Sequence, residues 1–560
     1  MNALAKMMRH KRFNLKFPDE VRFTLETNLG TRLELKLLNV SLSGLGAETN
    51  TALKPNEVLE PSTIIPAAKI TYGKSEFSLG RLIVRQVHTN GEKTYFGFST
   101  VDFRVPIDGP LSQFLDLDLD GKSSPYEFEF NPDKFSLRSF NDGSHSNVDI
   151  FMKTEQFDIF LKEWRRLPIF QFHNIRSASK GGRVKLRQNR KGNRNDYLVM
   201  GSNDYLGLGA SPEVCEAAKK AIDEYGFGST GSPLTTGLTD LHEELCDYVA
   251  SLFKCEKAIL FNSGYAANVG AINSLMTAQD LIVADFLSHA SIQDAMQMSL
   301  ATSRFFKHND INHLNKILKD NRESSSGALV ITEGVFSMDG DVPPLTEIVK
   351  SARQYNARVF LDEAHSFGVV GPTGLGCWEK FPNAKVDIIM GTFSKIGGGI
   401  GGFIAANEEV VNWMKFYGRS HMFSVSIPPS TAAAALEALK QFRARPELVK
   451  NLQENIKHFV KGLRELGCEI DPHHESAVIP VIIGDEKKLG IMNAVLRENG
   501  VYVIPITYPA VSRKNCRFRF TMMATHSISD LDYVLATLER AMEKANFSFQ
   551  VPKEEMKSAA

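Results

Sequence analysis

From residue 195 onward the chain repeats one pattern, a short and almost continuously apolar run followed by a helical stretch. The runs are Lys257-Ala-Ile-Leu-Phe261, Leu281-Ile-Val-Ala284, Ala328-Leu-Val-Ile331, Ala357-Arg-Val-Phe-Leu361, Val386-Asp-Ile-Ile-Met390 and Gly402-Phe-Ile-Ala405. Spacings of about 15–45 residues, with little polar alternation inside the runs, describe strands buried on both faces and joined by helices. The pattern predicts an α/β domain around a mostly parallel central sheet. Ligands on such sheets bind beyond the carboxyl ends of the strands. The residues that follow each run are therefore the ones to read for chemistry.

After the first run comes Asn262-Ser-Gly-Tyr-Ala-Ala-Asn268. Ser263, Gly264 and Tyr265 at a strand-to-helix turn offer backbone N–H groups and a hydroxyl, either an anion site or an ordinary helix cap. The second run leads to Ser288-His-Ala-Ser291, which carries His289, and the third to Thr332-Glu-Gly-Val-Phe-Ser-Met-Asp-Gly340, which contains Ser337. The fourth leads to Asp362-Glu-Ala-His-Ser366, with His365 three residues after Asp362. The fifth leads to Thr392, Ser394 and Lys395. Five glycines then fall in the six positions from 397 to 402. Glycine costs a helix about 1 kcal/mol against alanine, so this segment reads as a loop where backbone approaches something closely.

One crevice would thus hold a phosphate site, two imidazoles, a carboxylate and a lysine. The set suits pyridoxal phosphate (PLP). Lysine forms its Schiff base, and a carboxylate pairs with the protonated pyridine nitrogen and keeps the ring an electron sink. Asp362 is the expected pyridine partner, His365 reaches the ring hydroxyl, and His289 stacks on the ring. A buried Asp demands a cation; an ion pair serving structure alone is the other reading.

At these residues the chain resembles the α-oxoamine synthases, within the fold-type-I PLP enzymes. The resemblance spans roughly residues 195–545, a stretch of about two domains' length. It rests on an ordered series that also includes Ser202-Asn-Asp-Tyr-Leu-Gly-Leu208, Gly228-Ser-Thr-Gly-Ser232, Phe306-Lys-His-Asn-Asp310, Phe423-Ser-Val-Ser-Ile-Pro-Pro429 and Arg517-Phe-Arg-Phe-Thr-Met-Met-Ala-Thr-His526. It implies a PLP-binding large domain over 195–410 and a smaller α+β domain over 411–545, followed by a tail over 546–560. It makes Lys395 the Schiff-base lysine and places Ser263, Gly264, Tyr265, Ser337, Thr392 and Ser394 around the cofactor. Ser424 and Ser426 become residues lent to the partner subunit's phosphate, which implies a homodimer. Asn203 and Arg519 face the substrate, Arg519 gripping the amino-acid carboxylate, while Arg517 is structural.

The implied reaction joins an amino acid to an acyl thioester, of coenzyme A or a carrier protein, with loss of carbon dioxide, to give an α-amino ketone. The phrase Gly391-Thr-Phe-Ser-Lys395 is closer to serine palmitoyltransferase. Ser202-Asn-Asp-Tyr-Leu-Gly-Leu208 is closer to 8-amino-7-oxononanoate synthase. Serine with a long-chain acyl group is the favoured pair. The 8-amino-7-oxononanoate and glycine C-acetyltransferase types are the alternatives in the same family, an aminotransferase is one outside it, and an idle signalling scaffold is one of another class.

The first 110 residues differ. Thr31-Arg-Leu-Glu-Leu-Lys-Leu37 alternates as a half-buried strand does, and Asn90-Gly91 between two strand-like runs marks a hairpin. A small antiparallel barrel is expected. Arg9-His-Lys-Arg12 followed by Asn39, Ser41 and Gly44 is similar to the PilZ pattern RxxxR…[DN]xSxxG, with Met8 standing where the first arginine belongs. The resemblance implies cyclic di-GMP binding; a docking or dimerisation module is the other reading. Turn formers over 111–150 predict a linker, and 151–194 reads as a helix followed by a basic connector. Lys180, Arg183, Lys185, Arg187, Arg190, Lys191 and Arg194 run without an acid between them. They are read as a solvated loop, or else as a dock for an acidic carrier protein or coenzyme A phosphates.

Lys plus Arg and Asp plus Glu both number 65, which gives no global charge for nucleic acid or membrane. No recognition motif for DNA accompanies the basic run, and no apolar run reaches the ~18 residues of a spanning helix. The six cysteines are scattered without CxxC spacing, which fits a reducing cytoplasm and neither disulfides nor zinc.

Overall fold

The computed structural model describes residues 13–14, 21–26, 32–41, 44–49, 64–72, 75–90, 93–100, 151–165, 172–180, 182–187, 194–508 and 510–549. Arg9, Arg12, the 111–150 linker and the last residues of the tail lie outside them. The chain forms two compact units, Met1–Leu167 and Pro168–Ala560.

The first unit holds strands β1 (Phe13–Asn14), β2 (Val21–Glu26), β3 (Arg32–Ser41), β4 (Gly44–Thr49), β5 (Ile64–Tyr72), β6 (Ser75–Asn90) and β7 (Lys93–Thr100). Their order is β1-β3-β2-β5-β6-β7-β4, and β4 also pairs with β3, so six antiparallel strands close into a ring. On β3, Leu33, Leu35 and Leu37 are buried while Glu34 and Lys36 are exposed. The alternation read from the sequence is thus a core face and a wet face. Ser41 pairs with Gly44 across the turn that carries the Asn39, Ser41 and Gly44 motif. Helix Met152–Trp164 belongs to this unit and lines up Phe157, Phe160 and Trp164 along one face.

The described part of the basic stretch is strand rather than loop, and Arg190 and Lys191 lie outside the described residues. Residues 176–187 form a hairpin, β8 (Arg176–Lys180) and β9 (Arg183–Arg187), which continues to β10 (Arg194–Val199) in the second unit. The alternation Arg183-Val-Lys-Leu-Arg187 explains this: Val184 and Leu186 pack with Tyr197, while Arg183 and Lys185 point outward. Charge density obscured a strand pattern.

The central sheet has seven strands: β11 (Lys257–Phe261), β12 (Leu281–Asp285), β13 (Thr302–Phe306), β14 (Ala328–Glu333), β15 (Arg358–Asp362), β16 (Ile388–Thr392) and β17 (Gly402–Ala406). Their order is β11-β17-β16-β15-β14-β12-β13. The pairs from β13 to β16 are parallel, and β17 runs antiparallel to both its neighbours. Successive residues of β12 alternate between two cores. Ile282 and Ala284 meet Ala267 and Ala271 on one face; Leu281 and Val283 meet Leu314 and Ile348 on the other. Each of the larger side chains, Ile282, Leu281, Val283, Leu314 and Ile348, contributes about 1.5–3 kcal/mol by leaving water. Downstream, β18 (Val478–Ile482), β20 (Ile504–Ile506) and β21 (Arg517–Thr521) form a three-stranded antiparallel sheet, and β19 (Val501–Tyr502) pairs with β10. Among the described residues no helix is long and apolar enough to cross a membrane.

Cys377, Cys468 and Cys516 are buried and Cys215 is exposed. Burial pushes the thiols of Cys246 and Cys468 up to about 12.

An ionic clasp ties the strand ends together. His308 Nδ1 lies 3.0 Å from Asp285 Oδ1, and its Nε2 lies 2.8 Å from Asp341 Oδ2. Burial opposes charging of this imidazole, but the hydrogen bonds and charges of both aspartates prevail and raise its pKa to about 10. A raised folded-state pKa means the stabilisation is complete below the unfolded value near 6.5 and disappears as pH climbs through 10. His308→Ala is therefore expected to lower unfolding stability by about 2–3 kcal/mol at about pH 6. Denaturant melts should show that deficit shrinking toward zero above about pH 10. A deficit independent of pH would assign His308 to packing alone.

Candidate active site

The strand ends converge on a cavity of about 200 Å³ lined by Ser263, Gly264, Tyr265, His289, Ser291, Glu333, Asp362, Ala364, His365, Met390, Thr392, Ser394 and Lys395. Each side chain arrives by a local device. Ser263 caps helix Gly264–Leu275, its Oγ accepting from Ala266 N at 3.1 Å. Thr392 caps the single turn Phe393–Ile396 that carries Lys395, and its Oγ1 lies 2.8 Å from both Ser394 Oγ and Gly401 O. The glycine run ends against the Ser263–Gly264 turn. A Cβ on Gly402 would sit 2.6 Å from Ser263 O and 2.7 Å from Gly264 N, so only glycine lets β17 start against the Ser263–Gly264 turn.

Two carboxylates stand at adjacent strand ends, Glu333 closing β14 in register with Asp362 closing β15. Both are 3% exposed. Asp362 Oδ2 accepts from Asn268 Nδ2 at 2.8 Å and its Oδ1 from Ala364 N at 2.9 Å. Its position is fixed, and each oxygen keeps acceptor capacity toward a cation in the cavity. Glu333 accepts the backbone N–H of His289. Burial and the neighbouring Asp362 charge push the Glu333 carboxyl well above the usual range.

His289 caps helix Ala290–Met298 through its Nδ1, which lies 2.7 Å from Ser291 Oγ, and it is exposed at the cavity rim. Desolvation, with the Lys395 charge and against that of Asp362, lowers its pKa. Burial, with the charges of Lys395 and Arg519, holds His365 well below the ordinary imidazole value. Its Nδ1 lies 2.6 Å from Tyr205 Oη. Lys395 is half-buried. Burial lowers its pKa against the pull of Asp362 and Glu333, and Arg519 adds to the depression.

Arg519 on β21 forms a second cluster. Its Nε donates to Ser337 O at 2.6 Å, and its Nη atoms reach Asn203 Oδ1 at 3.4 and 3.5 Å. Asn203 and Ser337 thus meet at Arg519 rather than on the cavity wall. Arg517 binds Asp339 Oδ1 at 2.6 Å and Met338 O at 3.1 Å, a brace for the same loop. Ser424 and Ser426 also lie off the small cavity. Ser424 Oγ accepts from Asn262 Nδ2 at 2.6 Å. Ser426 Oγ is buried without a hydrogen-bond partner and lines a separate cavity of about 590 Å³ with Leu234, His242, Phe416 and Ile427.

Three residues of this assembly escaped the sequence reading of roles: Glu333, Asn268 and Tyr205. All three stood inside motifs that were singled out, at a strand end, one helical turn past the Ser263 cap and in Ser202-Asn-Asp-Tyr-Leu-Gly-Leu208. Only the fold shows what they hold.

The residues present fit PLP. The cavity offers a fixed carboxylate for a pyridinium, an imidazole for the ring oxygen, an exposed imidazole for the ring face, a partly desolvated amine, and hydroxyls with a helix N-terminus for an anion.

A model of the class I and II aminotransferase family matches residues 195–538. The chain is similar to the 8-amino-7-oxononanoate synthase of Treponema denticola, with 39% identity over 345 residues, 61% of this chain and 87% of that one. It is similar to the serine palmitoyltransferase of Bacteriovorax stolpii to nearly the same degree, with 38% identity over 345 residues, 61% of this chain and 82% of that one. Among solved structures it resembles a serine palmitoyltransferase from S. paucimobilis with a bound PLP–myriocin aldimine. The TM-score is 0.67 at 28% identity, covering 71% of this chain and 99% of that one.

Proposed function

We propose, for a chain that belongs to the class I and II aminotransferase family and within it to the α-oxoamine synthases, that its substrates are serine and a long-chain acyl thioester. The chemistry common to the family is a PLP-dependent acyl transfer. An amino acid and an acyl thioester give an α-amino ketone, carbon dioxide and the free thiol. The observation that carries this reading is the meeting of Lys395, Asp362, His365 and His289 in one cavity.

When bound, PLP supplies an electron sink for charge developing at the amino acid's α-carbon. Lys395 would anchor the cofactor, and its amine would serve as the base for the α-proton. Its lowered pKa brings the free amine closer to neutral pH, as a base requires. Asp362, pinned by Asn268 and Ala364, would hold positive charge at the pyridine nitrogen. His365 would hydrogen-bond the ring oxygen, and His289 would stack on the ring. Thr392, Ser394, Ser263 and the Gly264 N–H would bind phosphate. Arg519 takes the amino-acid carboxylate as a guanidinium fork and so fixes which bond at the α-carbon stands ready to break. Asn203 and Ser337 hold that fork in place.

The choice of serine and a long acyl chain rests on the phrase Gly391-Thr-Phe-Ser-Lys395. The competing branch makes a product whose skeleton is alanine joined to a seven-carbon dicarboxylic acyl group. A panel of serine, alanine and glycine against long-chain and seven-carbon dicarboxylic thioesters, on coenzyme A and on carrier protein, separates the two by product mass. The highest kcat/KM is expected for serine with a long chain. Preference for alanine with the dicarboxylic donor would move the enzyme to the other branch.

Homodimerisation is part of the same reading. Ser424 and Ser426 stand away from their own subunit's cavity, and the orphaned Ser426 hydroxyl, lining a separate cavity, suits a surface that a second copy covers. A monomer by sedimentation in an active preparation would contradict it. For the N-terminal unit, the Asn39, Ser41 and Gly44 motif at the β3–β4 turn supports cyclic di-GMP binding. Calorimetry that detects no binding leaves the unit a docking role.

A further inference from the structure

Tyr205 is 1% exposed and sits in none of the roles above, yet its hydroxyl touches a functional imidazole from 160 residues away. The 2.6 Å contact between Tyr205 Oη and His365 Nδ1 is short for a hydrogen bond, and both partners are buried. A neutral imidazole carries one hydrogen, and the hydrogen bond at one ring nitrogen decides which nitrogen has it. His365 is held neutral by burial and by the charges of Lys395 and Arg519. Tyr205 is held protonated, burial pushing the phenol up to about 12 with Arg519 only partly offsetting it.

The phenol therefore has one hydrogen to place and two acceptors in reach, His365 Nδ1 at 2.6 Å and Asn203 Oδ1 at 3.5 Å. Asn203 Oδ1 already faces two N–H groups of Arg519, at 3.4 and 3.5 Å. At 3.5 Å the Asn203 contact stands at the limit of a hydrogen bond, on an oxygen that already faces Arg519, whereas the His365 contact is short. The phenol hydrogen goes to His365.

We propose that Tyr205 is a positioning residue whose O–H, donated to His365 Nδ1, fixes the imidazole tautomer with hydrogen on Nε2, so that His365 meets the PLP ring oxygen as a donor. The role rests on the PLP reading above. It also links the carboxylate fork to the cofactor, because Arg519, Asn203, Tyr205 and His365 form one chain of polar contacts. A His365 with hydrogen on Nδ1 would present a lone pair to the ring oxygen and repel its ionised form.

The test separates the two claims. In cofactor-free protein labelled with ¹⁵N-histidine, His365→Gln identifies the His365 signals, and the parent should show a bare Nδ1 and a protonated Nε2. Tyr205→Phe, which keeps the buried ring, should give mixed tautomers. In the loaded enzyme the same variant should shift the cofactor's absorbance from its long-wavelength toward its short-wavelength band. Its kcat should fall about tenfold, the scale of losing an outer partner of a functional histidine, with the amino-acid KM little changed. A protonated Nδ1 in the parent would overturn the proposal, as would a tautomer and band balance unaltered in Tyr205→Phe. A parent that takes up no cofactor would defeat the PLP reading, while the tautomer measurement still decides the Tyr205–His365 contact.

Discussion

Lys395→Ala is expected to abolish turnover while leaving the fold unchanged. In the proposed reaction the lysine would supply a covalent anchor and the base for the α-proton, and general-base catalysis alone accounts for about 10²–10⁴-fold. The rate should fall by at least that factor, with saturating amino acid giving no recovery. Stability should not suffer. The Lys395 ammonium is partly desolvated, so the fold bears a cost for charging it, and its stem packs in a single helical turn. Denaturant midpoints should lie within about 0.5 kcal/mol of the parent, or above it. Turnover near the parent rate would remove Lys395 from the mechanism.

Asp362→Asn comes second in size. The change preserves shape and removes a charge. Asn268 Oδ1 is buried without a partner, so a flip of the Asn268 amide can present that oxygen to the new amide. The Ala364 N–H contact survives at Oδ1. Stability should change by about 1 kcal/mol or less. Catalysis should not be spared, because the substituted amide cannot balance charge at the pyridine nitrogen. Losing a preorganised electrostatic partner of this kind costs about 10²–10³ in kcat. A kcat within a small factor of the parent would assign Asp362 to structure.

The strand ends were legible because two independent signals coincide there. Apolar runs locate a buried strand, and the polar residue that ends each run is placed at the sheet's carboxyl edge. That is how Ser263, His289, Asp362, His365 and Lys395 stand out, and the structure brings these five to one cavity. Residues that act through a partner from a distant segment leave no such mark. Tyr205 lies in a loop before the sheet, and nothing in Asp204-Tyr-Leu206 says that it meets His365. One edge strand is equally quiet. Strand β13 reads Thr302-Ser-Arg-Phe-Phe306 and buries only its last residue, so the apolar-run criterion passes over it.

The clue to the substrate is the thinnest, and the structure says why. Phe393, half of the phrase that favours serine palmitoyltransferase, is fully buried against Phe403, with ring centroids 5.3 Å apart. Ser394 contacts Thr392. Both residues shape the cradle of Lys395, so they report ancestry more than acyl-chain length.

A decarboxylative condensation in one cavity is tested by the stoichiometry of the complete reaction, with carbon-1-labelled amino acid and an acyl thioester. One labelled carbon dioxide and one free thiol are expected for each α-amino ketone formed, all three absent in Lys395→Ala. Formation of a keto acid that keeps the label, with the thioester intact, would contradict it.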